Sequence, residues 1–170
     1  MRDSLRDFVE TFQAPRALIG MLHAAPLPGT PHARDGLEAI IDAAVTEARV
    51  YRDAGFTALL LENMHDRPYL KGHVGPEVVA SMTAIAREVR RAVALPLGVQ
   101  VLAAANREAV AVALASGASF VRVEAFAFAH VADEGVLEAC AGPLLRYRRA
   151  VGAEHVRVFA DIKKKHASHA

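Results

Sequence analysis

Tryptophan is absent from this 170-residue chain, and cysteine occurs once, at Cys140. A single cysteine excludes an intrachain disulfide and fits a reducing compartment. Neither sign of charge dominates: 20 Lys+Arg stand against 19 Asp+Glu, a net charge of +1. That balance lacks the basic surplus that marks nucleic-acid binding. No apolar stretch approaches the ~18 residues of a membrane span. The N-terminal "MRDSLRDFVETF" carries acids and no apolar core segment, so it does not read as a secretory signal. Together these absences make the cytoplasm the expected location. G-x-G-x-x-G and G-x-x-x-x-G-K-[ST] are missing, and so are the metal spacings H-x-H and H-E-x-x-H. No low-complexity segment or linker divides the chain.

Hydrophobic residues make up 53% and charged residues 23% of the sequence, with alanine abundant. This is the composition of one globular domain over residues 1–170, with a real core. Five apolar runs stand out: residues 17–23 (ALIGMLH), 56–63 (FTALLLEN), 95–102 (LPLGVQVL), 119–126 (SFVRVEAF) and 156–163 (VRVFADIK). None alternates cleanly, which suits parallel strands buried on both faces. Between them lie helical patterns. Residues 36–55 place Leu37, Ile40, Ile41, Ala44, Val45, Ala48 and Tyr51 on one stripe and end at Gly55. Residues 75–93 start with Pro76 and finish in Arg87, Arg90 and Arg91, as the helix dipole favours. Residues 106–118 begin with Asn106 as a candidate N-cap. Residues 133–152 form the fourth pattern, with a break expected near Gly142 because Pro143 lies inside it. A short helix leads into the first strand. The phrases "DAGFTALLLE" and "ASGASFVRVE" repeat one plan: helix end, glycine, strand, acid.

The order is α, then four βα units, then a fifth strand. Two architectures follow. One is the first five units of a (β/α)8 TIM-barrel-like fold, whose full form needs ~250 residues. The other is an open parallel α/β sheet complete at five strands. Under the first, the chain is expected to be a C-terminally truncated fragment. Either leaves two strand edges for a second copy or a protein partner to cover.

In both architectures a ligand site lies at the carboxyl ends of the strands. The first run ends in His23, the second in Glu62 and Asn63. The third carries Gln100, the fourth Arg122 and Glu124, and the fifth Asp161, Lys163 and Lys165, then His166. One polar residue at a strand end is ordinarily a strand meeting solvent; five strands turning polar at the same end imply a shared rim. His23, Glu62, Asp161 and Lys163 are the candidate catalytic groups. Asn63, Gln100, Arg122, Glu124 and Lys165 are the candidate ligand-binding groups. His23, Glu62 and Asp161 suit acid–base work, and with His166 they offer the N/O donors that a divalent metal accepts. Lys163 or Lys165 would bind an anion, or form a Schiff base if desolvated. Arg122 paired with Glu124 or Asp161 also reads as a structural ion pair. His65, His73, His130 and His155 read as loop or surface residues. Cys140 falls in the middle of the fourth helical pattern, a poor place for a nucleophile.

Several long phrases, in order, resemble the BtpA family. They are "ALIGMLHAAPLPGTP", "DAGFTALLLENMHDRPY", "VGPEVVASMTAIAREVRRAVALPLGVQVLAAANREAVAVALASGASFVRVEAF" and "LLRYRRAVGAEHVRVFADIKKKHA". The resemblance spans about residues 15 to 168. It implies a TIM-barrel-like fold in members longer than this chain. In cyanobacteria it implies a factor at the thylakoid periphery that supports photosystem I accumulation, a role that cannot apply to the family's non-photosynthetic members. It brings no catalytic residues with it. The family pattern has Asn on the third and fourth strands, where this chain has Gln100 and Glu124. Two functions follow: an enzyme acting on a small metabolite, phosphorylated or not, at the rim, or a non-catalytic assembly factor that binds a protein.

Overall fold

The computed structural model describes residues 4–164, Ala167 and Ser168. Five short strands form a parallel sheet: β1 (Ile19–His23), β2 (Ala58–Glu62), β3 (Leu97–Gln100), β4 (Phe120–Val123) and β7 (Arg157–Ala160). Between them run α2 (Leu37–Asp53), α3 (Pro76–Ala92), α4 (Asn106–Ser116) and α5 (Ala141–Ala150), and α1 (Ser4–Phe12) precedes the sheet. The strand order is β1-β2-β3-β4-β7. The chain therefore steps one way across the sheet, without the reversal of strand order that defines a doubly wound fold.

Side-chain parity divides the sheet into two faces. Leu22, Leu59, Leu61, Leu97, Val99, Val121 and Val123 point to one face and pack with the buried stripes of α2, α3 and α4 and with Leu144 of α5. The opposite face splits along its length. At the amino ends of the strands, Ala58, Leu60 and Phe120 form a second core with Phe12 of α1, joined by Phe8 and Phe159. Phe120 and Phe159 meet edge to face with centroids 5.3 Å apart. Phe8 and Phe12 of α1 are thus spent against the sheet, while Leu5 and Val9 stay exposed. At the carboxyl ends, the same face carries polar groups.

The helix ends follow local chemistry. Pro76 opens α3, and Gly117 takes the left-handed conformation (φ 75°) that ends α4. Two expectations are corrected. The fourth helical pattern yields a helix only from Ala141; before it, β5 (His130–Ala132) and β6 (Gly135–Leu137) form an antiparallel hairpin. Pro143 consequently sits in the first turn of α5, where its missing N–H costs nothing, and Cys140 is the N-cap residue rather than mid-helix. Asn106 is not the N-cap of α4 either. Ala105 holds that place, and the Asn106 side chain is buried elsewhere. Ser168 bonds Val131 of β5 in both directions, so the tail returns to the hairpin. No helix among the described residues is long and apolar enough to cross a membrane.

Candidate functional site

Register aligns the polar strand ends. His23 of β1 lies beside Glu62 of β2, and Glu62 beside Gln100 of β3. Adjacent strands are ~4.8 Å apart, so these three side chains form a row on the face opposite the helices. His23 Nε2 is 3.3 Å from Glu62 Oε2. Glu62 is buried, and burial raises its carboxyl pKa; Arg122 and His23 oppose that shift, while Glu124 and Asp161 add to it. Gln100 is 1% exposed, and among the described residues its Oε1 has no hydrogen-bond donor.

The row continues with a second pair. Arg122 of β4 donates from Nε to Asp161 Oδ1 (2.9 Å) and from Nη2 to Asp161 Oδ2 (3.1 Å). This bidentate fork raises the guanidinium pKa, against the opposing effect of burial. Arg122 keeps some exposure, so the pair is a partly solvated feature of the rim.

Not every polar strand-end residue reaches the rim. Asn63 has the opposite parity to Glu62 and is fully engaged. Its Nδ2 donates to Asp66 Oδ2 (3.0 Å) and its Oδ1 accepts the Leu102 N–H (2.8 Å). Asp66 Oδ1 accepts the Leu27 N–H (2.8 Å). The expected ligand contact thus becomes a staple joining the loops after β1, β2 and β3. Glu124 is completely buried. Its Oε2 accepts the Ala104 N–H (2.6 Å), and its other oxygen pairs with Lys164. Asn106 donates from Nδ2 to the Glu124 carbonyl (2.8 Å) and to Cys140 Sγ (3.2 Å). Ala104 itself adopts φ 55°, a strained conformation for alanine, beside the carboxylate that binds it.

Lys163, expected at the rim by a two-residue period from Asp161, is exposed, and Lys164 turns inward instead. The reason is that β7 ends at Ala160, so strand alternation no longer governs the residues beyond it. Lys165 and His166 lie outside the described residues. No three His, Cys, Asp or Glu side chains among the described residues converge as a metal site would require. The structure thus gathers His23, Glu62, Gln100, Arg122 and Asp161 on one face, and sends Asn63 and Glu124 into the loops. Sequence reading missed Asp66 and Lys164; only tertiary placement distinguishes them.

Residues 14–170 match the model of the BtpA family. An uncharacterised protein of Archaeoglobus fulgidus is 47% identical over 154 residues, covering 91% of this chain and 61% of its own length. An uncharacterised mitochondrial protein of Caenorhabditis elegans is 46% identical over 158 residues, covering 89% of this chain and 57% of its own. The photosystem I biogenesis protein BtpA of Synechocystis is 36% identical over 161 residues, covering 95% and 56%. The chain therefore spans less than two thirds of the length of these relatives.

Proposed function

Since the chain belongs to the BtpA family over residues 14–170, we propose that it carries the catalytic half-rim of a barrel enzyme acting on a small anionic metabolite such as a sugar phosphate. The observation that carries this reading is the His23–Glu62 pair. A buried carboxyl of raised pKa touches an imidazole at a strand-end rim, the arrangement that acid–base chemistry needs. Glu62 takes or returns a proton at the substrate, and His23 holds the carboxylate and exchanges protons with solvent. Arg122, steadied by Asp161, offsets negative charge on the substrate. Gln100 offers an amide next to Glu62 for orientation. The one-way strand order favours barrel over open sheet, and the relatives are long enough for the ~250 residues of a closed barrel. A cytoplasmic or matrix compartment suits the single cysteine.

A second reading, a protein that assists assembly of a complex, rests on the name of the Synechocystis relative, a photosystem I biogenesis protein. The test is Glu62→Gln assayed against a panel of sugar phosphates by NMR. The enzyme reading expects turnover to fall by about 10²–10⁴-fold in a variant that melts no lower than wild type. A protein that turns over nothing in the panel, and whose Glu62→Gln variant replaces wild type in the cell without loss, is the assembly factor.

A further inference from the structure

A separate cleft of about 670 Å³ lies outside the sheet, between the first turn of α4, the β5–β6 hairpin and α5. That volume is in the range of small-molecule sites. Its walls come from the segments after β2, β3 and β4, all strands with neighbours on both sides in the sheet order. None of His23, Glu62, Gln100, Arg122 and Asp161 lines it.

The lining has two characters. Leu137 and Leu144 form a buried apolar floor, and the exposed Val136 and Pro143 add apolar surface to the lining. The mouth is cationic. Lys71 and Arg107 are exposed there, and Glu138 is the one acid in the lining. The Arg107 guanidinium carbon lies 4.3 Å from the centroid of the Tyr147 ring, a cation–π contact that holds the charge at the cleft. Arg107 sits in the first turn of α4, where the helix dipole disfavours a cation, so its charge does nothing for the helix. An apolar floor beside two cations selects a molecule with both parts.

We propose that this cleft is a second ligand site for a small organic anion with an apolar body. Arg107 and Lys71 take the acidic group, and Leu137 and Pro143 take the hydrocarbon. The proposal does not depend on the rim being catalytic.

The test is an amide NMR titration of the protein with phenyl phosphate, using inorganic phosphate and phenol as half-probes. Phenyl phosphate is expected to move the amides of Gly72, Ala139 and Tyr147 with a Kd of about 1 mM, in line with a ligand of its size. Each half-probe should bind about tenfold more weakly or worse. Arg107→Ala should weaken phenyl phosphate by about tenfold, as loss of a charge-assisted contact predicts. Val136→Asp, on the exposed hairpin, puts a like charge at the mouth and should do the same. Both variants should keep the wild-type melting curve, and the amides of His23 and Glu62 should stay still. Silence up to about 10 mM, shifts centred on the rim, a half-probe binding as well as the whole, or both variants binding like wild type would overturn the proposal.

Discussion

Asn63→Ala should destabilise the fold by about 4 kcal/mol, the sum of two orphaned buried groups at about 1–3 kcal/mol each. The Asn63 side chain is 1% exposed and serves two partners. Its removal strips the acceptor from the Leu102 N–H and the donor from Asp66 Oδ2. Asp66 keeps the Leu27 N–H, so its carboxylate is left half-satisfied in a site that water reaches poorly. Asn63→Asp separates the two bonds. Its carboxylate can still accept from Leu102 but faces Asp66 where an amide donated. Two carboxylates this close cannot both ionise freely, so the folded state holds a proton that the unfolded chain releases near pH ~3.9. The folded state then binds more protons than the unfolded one, and stability relative to wild type falls as pH rises from about 4. With no tryptophan in the chain, urea unfolding followed by far-UV circular dichroism is the assay. If Asn63→Ala loses less than about 1 kcal/mol, as an ordinary surface change would, or Asn63→Asp shows no pH-dependent gap from wild type, the staple does not hold these loops.

Glu62→Gln should gain stability over wild type as pH rises above about 4.3, the unperturbed glutamate value. The raised pKa of Glu62 in the folded state penalises its ionised form, and glutamine removes that penalty; urea unfolding at several pH values reads it. Asp161→Asn should cost only about 1 kcal/mol, because Arg122 remains partly solvated, and thermal melts should show a correspondingly small shift. Gly98→Ala should cost about 1–3 kcal/mol through overpacking, since a methyl there overlaps the Phe120 ring; Gly98→Ala combined with Phe120→Leu should recover part of the loss.

All five sheet strands were legible as near-continuous apolar runs, because a strand covered by helices on one side and by α1 or its neighbours on the other needs apolar residues at most positions. The helix over residues 37–53 was legible from its stripe and Gly55, and the helix over 76–92 from Pro76 and the arginines of its last turns. The β5–β6 hairpin was not. Its strands have three residues each, too short for a period to emerge, and Val136 and Leu137 also fit the helical stripe that continues through Leu144. The signal was Asp133-Glu134-Gly135, a turn with its glycine at φ 95°. Within the site, position at the strand ends placed His23, Glu62, Gln100, Arg122 and Asp161 at one rim, together with Asn63 and Glu124. Parity already sets Asn63 opposite Glu62, but β2 ends at Glu62, and only the tertiary contacts show that Asn63 serves the loops.

The residues that leave the rim explain why it has a fixed shape. Strand ends release the chain into loops whose backbone groups need partners once buried. Here side chains supply them: Asn63 to Leu102, Asp66 to Leu27, and Glu124 to Ala104. Each of these bonds reaches from one βα loop to another, so neighbouring loops are set relative to each other before any ligand arrives. A buried carboxylate such as Glu124 is an expensive way to do this unless it is paired, and Lys164 provides the pair from beyond the last strand. The same contact brings the segment after β7 across to β4, next to the Arg122–Asp161 fork. Polarity at the strand ends therefore has two destinations. The even-numbered residues His23's partner Glu62, Gln100 and Arg122 face the open rim, while Asn63, Asp66 and Glu124 hold the backbone that frames it, and preorganised geometry of this kind is what acid–base chemistry at a rim requires.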